Sequence, residues 1–76
     1  MTAPHPSSQA RLAREDDLIA FGAEVRKLRK ARQMTLAALA RASGVSTSHL
    51  SAIERGAVNP TLAKIAQIAS ALGVPE

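Results

Sequence analysis

Small hydroxyl side chains are concentrated between residues 46 and 51, where Ser46, Thr47, Ser48 and Ser51 fill four of the six positions. A hydroxyl group both donates and accepts hydrogen bonds, and a threonine adds a small methyl group. The major groove of duplex DNA presents donors, acceptors and the thymine methyl, so such side chains can contact any base edge. Because they are short, a helix that carries them can lie deep in the groove. No Gln, Asn or Arg lies among residues 46–51. If this segment is the start of a helix that reads DNA, water and DNA shape would contribute to its sequence preference.

Positive charge is concentrated in the segment RKLRKAR, which holds five cations between Arg26 and Arg32. The whole chain carries a net charge of +4. Such a block favours a polyanionic partner, either nucleic acid or an anionic membrane surface, and the alternative is a solvated helix face. A helix bound at a membrane surface presents bulky apolar residues, whereas Phe21 is the only aromatic residue of the chain. We therefore expect nucleic acid as the partner, and no membrane.

Few residues of this chain are suited to catalysis or to metal binding. The two histidines are His5 and His49, and on a helix His49 points about 100° away from the adjacent Ser48. The carboxylates are scattered, the glycines form no phosphate-binding loop, and the lack of cysteine excludes disulfides and thiolate metal sites. We predict that the protein is not an enzyme and that it uses no metal and no cofactor.

Four amphipathic helices in an all-α domain are predicted to position these residues. Residues 1–14 contain two prolines and no apolar periodicity, so we expect a flexible arm there and a domain over residues 15–76. The first helix should run from about Asp17 to Arg32, with Asp16 or Asp17 as its cap. The other three should begin at the caps Thr35, Ser46 and Thr61, with Asn59 before Pro60 as an alternative start of the last, and end at Gly44, Gly56 and Gly73.

The second and third predicted helices are separated by only a few residues around Gly44 and Val45. So short a joint makes two helices cross steeply and forms a helix-turn-helix unit. Gly44 permits the turn, because a left-handed conformation costs glycine little, and Ala40 should face the crossing point. The predicted apolar contacts come from Leu39, Val45, Leu50 and Ile53 of this unit and from the stripe Leu18, Phe21, Val25 and Leu28 of the first helix.

The stretch from Val25 to Val74, with IERG followed by NPTL and ALGV, resembles the lambda-repressor-like family of DNA-binding domains, which includes the Cro and XRE types. The resemblance covers about residues 18–74. It implies a compact lambda-repressor-like bundle of four helices, or a five-helix bundle cut short. It also implies a sequence-specific, double-stranded DNA-binding transcriptional regulator, a repressor, that reads the major groove with its third helix, about residues 46–55.

Individual residues then receive expected roles. Base-edge contacts are predicted for Thr47, Ser48 and Ala52, which occupy the family's reading positions, and for Ser51 on the same exposed face. Contacts with the DNA backbone or the groove margin are predicted for Arg26, Arg29, Thr35, Ser46, His49, Arg55 and Asn59. Glu54 would repel phosphate if it faced DNA, so we expect it to pair with a basic side chain of the first helix.

The sequence departs from the family pattern at several points. Leu36 stands where many relatives carry a glutamine that contacts phosphate. Ala38 stands where relatives often carry a glutamate, so the capping box that begins at Thr35 is incomplete. The sequence stops at Glu76, before a fifth helix that helps most relatives to dimerise. We therefore expect either a truncated chain or the N-terminal domain of a longer regulator that carries a C-terminal effector or sensor domain.

The expected partner is double-stranded DNA, bound by a homodimer on a two-fold operator in the cytoplasm, at the nucleoid. The alternative is an antitoxin-type or protein-interaction module, which uses the same fold to bind another protein. Affinity for duplex DNA should fall steeply as the salt concentration rises. Vesicle binding measured beside duplex binding would separate a DNA-binding domain from a membrane-surface helix.

Overall fold

The structure is a computed structural model that describes residues 14–73. Over this range the chain forms four α-helices, which are α1 (Glu15–Ala31), α2 (Leu36–Ser43), α3 (Thr47–Glu54) and α4 (Leu62–Ala71). Helix α3 packs against both α1 and α2, and α4 packs against α2. The prediction of an all-α domain with four helices is confirmed. The predicted arm, residues 1–14, lies outside the described residues except for Arg14.

Helix α1 begins earlier than the sequence predicted, and its cap is different. Arg14 occupies the N-cap position in an extended conformation and its side chain makes no capping hydrogen bond. Glu15, Asp16 and Asp17 all lie in the first turn, where carboxylates are stabilised by the positive end of the helix dipole. The prediction that Asp16 or Asp17 caps the helix is therefore wrong, because both residues are already helical.

Hydroxyl groups cap the other three helices as predicted. The hydroxyl oxygens of Thr35, Ser46 and Thr61 accept hydrogen bonds from the backbone N–H groups three residues later, at 3.0 Å, 3.2 Å and 3.2 Å. Each such cap contributes about 1 kcal/mol to helix stability. Helix α4 therefore starts from Thr61 and not from Asn59.

The core is aliphatic and consists of Val25, Leu39, Val45, Leu50, Ile53, Ile68 and Leu72. The four predicted core residues of the helix-turn-helix unit are all among them. The stripe predicted on α1 is only partly right, because Val25 is buried whereas Leu18, Phe21 and Leu28 are half-buried. The face of α1 that is fully buried carries Gly22, Val25 and Arg29, and the first and last of these do not count as apolar in a search for hydrophobic periodicity.

The turn between α2 and α3 has the predicted form. Gly44 adopts a left-handed conformation with φ of 76°, and its N–H donates to the carbonyl oxygen of Ala40 at 2.9 Å. Ala40 is half-buried against the core. The short connection to Ser46 places the first turn of α3 immediately after the end of α2.

A close approach of two helices occurs at Gly22 of α1, which the sequence analysis did not single out. A Cβ atom built on Gly22 would lie 2.7 Å from the carbonyl oxygen of Glu54 and would also collide with that of Ile53. Both oxygens belong to the last turn of α3, so only a glycine lets α1 approach the end of α3 this closely. This contact helps to fix the direction of α3.

Candidate nucleic-acid interface

Helix α3 presents its hydroxyl groups to solvent while its opposite side is buried. Ser46, Thr47 and Ser48 are exposed at the start of the helix. Leu50 and Ile53 are 0% and 1% exposed and anchor the helix in the core. The first turn is therefore held rigidly with its small polar side chains outward, which is the arrangement that a groove-reading helix needs.

The second turn of the same helix is less open. Ser51 and Ala52 are half-buried, and the Ser51 hydroxyl oxygen accepts a hydrogen bond from Nη1 of Arg55 at 2.7 Å. The spacing of four residues places the two side chains on one face of a helix. Sequence reasoning assigned Ser51 to a base edge and missed this pair, although the spacing was visible.

His49 is less exposed than Ser46, Thr47 and Ser48, which precede it. The residue is half-buried, and its Nε2 atom is buried without a hydrogen-bond partner among residues 14–73. This nitrogen is therefore shielded from solvent. The groove-margin contact of His49 stays a prediction.

A buried ion pair connects α1 to the end of α3. Nε and Nη2 of Arg29 donate to the two carboxylate oxygens of Glu54 at 2.7 Å and 3.0 Å, and Nη1 donates to the carbonyl oxygen of Met34 at 2.9 Å. The Arg29 and Glu54 side chains are 11% and 7% exposed. The hydrogen bond with Glu54 raises the pKa of Arg29 above its ordinary value, against the opposing effect of burial.

This pair confirms the internal role predicted for Glu54 and gives Arg29 an internal role that the sequence analysis did not assign to it. Every nitrogen of the Arg29 guanidinium group donates one hydrogen bond to another residue of the protein, so three of its five N–H groups have internal partners. Its bonds join the last turn of α1, the loop before α2 and the last turn of α3. The sequence showed five cations in the block and could not tell which of them would turn inward.

The other predicted backbone residues are accessible to different degrees. Arg26, Arg55 and Asn59 are exposed, and so is Thr35, whose hydroxyl oxygen caps α2. Leu36, at the first position of α2, is half-buried and packs against the core.

A polar cleft of about 230 Å³ lies where α1, α2 and α3 meet. Its lining residues are Arg26, Arg29, Leu36, Ser51, Glu54 and Arg55. Three of the predicted backbone contacts, Arg26, Arg29 and Arg55, thus line the same cleft. The structure brings them together beside Ser51, on the side of α1 that faces the interhelical pair.

Between residues 14 and 73, no three His, Asp or Glu side chains are grouped so that they could hold a metal ion. No helix in that range combines the length and the apolar character required to cross a membrane.

Comparisons with known proteins agree on one family. Residues 20–76 match the family model described as a helix-turn-helix domain. An uncharacterized HTH-type transcriptional regulator from Mycobacterium tuberculosis is 46% identical over 54 residues, which are 71% of this chain and 21% of that protein. The immunity repressor protein of Bacillus phage phi105 is 38% identical over 53 residues, which are 70% of this chain and 37% of that protein.

A solved structure is similar over most of its own length. The crystal structure of the restriction-modification controller protein C.AhdI from Aeromonas hydrophila has a TM-score of 0.77 and 37% sequence identity. The match covers 79% of this chain and 91% of that one. In contrast, the match spans about a fifth of the mycobacterial regulator.

Proposed function

Because the chain belongs to the helix-turn-helix domain family, we propose that it binds double-stranded DNA through α3 and regulates transcription as a repressor. The observation that carries the proposal is the orientation of α3, whose hydroxyl-bearing first turn is exposed while Leu50 and Ile53 are buried. The names of the relatives agree with this function, since they include HTH-type transcriptional regulators and a phage immunity repressor.

We assign recognition of the DNA base sequence to the exposed side of α3. Thr47 and Ser48 lie on its first turn and are exposed, so they would contact base edges in the major groove by hydrogen bonds and through the threonine methyl. Ala52 lies one turn after Ser48 and would add an apolar contact. Because no long side chain projects from this surface, we expect DNA shape and bridging water to contribute to specificity.

Backbone anchoring is assigned to the residues around the reading helix. Arg26, Arg55 and Asn59 are exposed and would contact phosphates, which fix the register of a protein on DNA without reading sequence. Ser46 and Thr35, the caps of α3 and α2, would lie at the groove margin. Arg29 would act indirectly, because its pair with Glu54 holds α1 against α3.

Two copies would bind one operator with two-fold symmetry, with half-sites about one helical turn apart. We place this activity in the cytoplasm, at the nucleoid, where the DNA partner is found. The proposed function requires no catalysis and no cofactor.

Selection of bound sites from a random duplex library tests the function, because it reports the half-site, the symmetry and the spacing together. We expect Thr47→Ala and Ser48→Ala to alter the selected sequence more than they alter affinity for unrelated duplex. Ser70→Ala serves as the matched control, since Ser70 is an exposed serine on α4, outside the proposed interface. An equal loss on all sequences would contradict the placement of α3 in the groove, and no enrichment of any duplex would contradict DNA binding.

A further inference from the structure

We propose that the apolar cavity between α1 and α4 binds a small arylalkyl ammonium ion, with its ring inside the cavity and its ammonium group beside the carboxylate of Glu24. The described residues that line this cavity come only from α1 and from α4 with its C-cap residue Leu72. The cavity is therefore separate from the reading helix α3, and the inference goes beyond the proposed function.

The size of the cavity suits one aromatic ring. Its volume is about 170 Å³, and an engineered protein cavity of about 150 Å³ lined by Leu, Ile and Phe binds benzene. The additional space holds the short carbon chain that joins a ring to an amino group. The cavity is partly open to solvent, so the ammonium group of such a ligand can stay hydrated at the mouth.

Hydrocarbon side chains form the walls of the cavity. The large apolar side chains that line it are Phe21, Val25, Leu28, Ile65, Ile68 and Leu72. Three of them, Val25, Ile68 and Leu72, are buried in the core, whereas the others are half-buried. The floor of the cavity is thus fixed by core packing, and a ring placed on it would remove apolar surface from water, which is favourable.

The charge at the mouth of the cavity favours a cation. Glu24 is the only charged residue among the described lining residues, and it is exposed and forms no salt bridge with residues 14–73. Asp17 is also exposed and lies two turns earlier on the same face of α1. Lys27, the cation that follows Glu24 on the helix, does not line the cavity. A cation is therefore attracted to this mouth, and an anion is repelled.

Phe21 adds a second attraction for a cation. It precedes Glu24 by three residues, so the two side chains are neighbours on the helix surface, and both line the cavity. A cation held beside the carboxylate is then close to an aromatic ring, whose face attracts positive charge. A neutral molecule of the same shape would gain the apolar contacts and neither electrostatic one.

The first experiment titrates the whole chain, without DNA and at constant ionic strength, with phenethylammonium. We expect saturable NMR shifts of the Phe21, Leu28 and Ile65 side chains with a dissociation constant on the order of 1 mM, as a ligand of about nine non-hydrogen atoms can reach. Phenethyl alcohol, which has the same shape without the charge, should bind about 2- to 5-fold more weakly. Phenylacetate, an anion of similar size, should bind more weakly than the alcohol.

A charge variant tests the role of the carboxylate. Glu24→Gln should weaken the binding of phenethylammonium about 2- to 5-fold and leave the binding of phenethyl alcohol unchanged. Glu15→Gln is the matched control, because Glu15 is an exposed glutamate of the same helix that does not line the cavity. It should leave the affinities for both ligands unchanged.

A filling variant tests the position of the ring. Ala69 lines the cavity from α4, so the larger side chain of Ala69→Leu should occupy the space and weaken all three ligands about 10-fold. Ala66→Leu is the matched control, because Ala66 is exposed on the same helix and does not line the cavity. Thermal denaturation shows whether each variant is folded, and the comparison of the three ligands on the wild type does not depend on any variant.

Several outcomes would overturn the ligand site. They are shifts that do not saturate, shifts confined to residues outside the cavity, and equal affinities for phenethylammonium and phenethyl alcohol. Shifts of the lining residues on dilution of the free protein would show that a second copy fills the cavity, and would also overturn the site. Duplex binding by Glu24→Gln should equal that of the wild type, so the ligand site and the proposed function are tested independently.

Discussion

Arg29 and Glu54 show at the scale of single residues how the interface is held in place. Removing two charges from water is costly, and their attraction offsets that cost only when the hydrogen bonds of both groups are satisfied. Here both carboxylate oxygens and three guanidinium nitrogens have partners. The pair therefore acts mainly as a geometric constraint between α1 and α3, and only weakly as a net source of stability.

This argument predicts an asymmetry between single and double substitutions. Glu54→Ala should lower the free energy of unfolding by about 3 kcal/mol, because it leaves the Arg29 charge buried without its partner. Arg29→Met combined with Glu54→Leu should cost much less, since neither charge remains. Urea denaturation of the wild type, Arg29→Met, Glu54→Leu and the double variant gives the coupling energy, with Glu54→Ala measured beside them.

Arg32→Met is the control for loss of a cation on the same helix, because Arg32 is exposed. It should change the free energy of unfolding by less than about 0.5 kcal/mol.

The pKa of Arg29 is raised in the folded protein. The contribution of its charge to the free energy of unfolding is therefore complete below the ordinary arginine pKa, and it is lost only as the pH rises through the folded value. Strictly additive single variants would show that the two residues are not coupled.

At the scale of secondary-structure elements, Gly22 allows α1 to pack closely against the end of α3. Alanine favours an isolated helix over glycine by about 1 kcal/mol. At this position a Cβ atom would collide with backbone carbonyl oxygens of the last turn of α3, and backbone atoms cannot rotate away as a side chain can. The packing cost should therefore exceed the gain in helix propensity.

We expect Gly22→Ala to lower the free energy of unfolding by about 1–3 kcal/mol and to weaken duplex binding, because the end of α3 must shift. Ala23→Gly is the matched control, since Ala23 is the exposed neighbour on α1. It should cost about 1 kcal/mol through propensity alone and leave binding by the folded protein intact. Thermal denaturation and duplex titration check both variants, and a Gly22→Ala protein more stable than the wild type would refute the close approach.

Local signals predicted most of the elements. The caps Thr35, Ser46 and Thr61 and the turn at Gly44 could be placed from the sequence, because each acts within a few residues of itself. The start of α1 was misplaced, because acidic residues are favourable both at the cap and in the first turn. The exposure of Thr47 and Ser48 followed from the spacing of Leu50 and Ile53.

Contacts distant in sequence could not be predicted in the same way. The partner of Glu54 was expected on the first helix, but its identity depends on how α1 is rotated, and Arg29 is 25 residues away. The same rotation places Gly22 against α3. The cleft containing Arg26 and Arg55 exists only once three helices are packed, so no segment of the sequence describes it alone.

At the scale of the whole molecule, acidic and basic residues are separated along α1. Three acidic residues occupy its first turn, and the exposed cations Arg26, Lys27, Lys30 and Arg32 lie in its second half or just beyond it. The helix has 17 residues and thus a length of about 25 Å, which exceeds the Debye length of about 8 Å at physiological salt. The two ends therefore act separately on a polyanion, and the basic end would face the DNA.

Such a polarity gives each copy a preferred orientation on DNA, and a two-fold operator would place two copies on the same side of the duplex. Inserting about 5 base pairs between the half-sites rotates one copy by roughly half a helical turn, whereas inserting about 10 restores its direction. We expect the first insertion to abolish the binding of two copies to one duplex at concentrations that saturate the natural spacing, because contacts between the copies are lost. The second insertion should recover part of the binding of two copies.

Mobility-shift titration of the three duplexes, beside a duplex with a single half-site, measures this dependence. The single half-site is the control for the intrinsic affinity of one copy, which the insertions should not change. If all spacings bound two copies with the affinity of isolated half-sites, the copies would act independently and the homodimer would be ruled out on this operator. A dependence with the period of the DNA helix would instead require contact between copies that lie on the same side of the duplex.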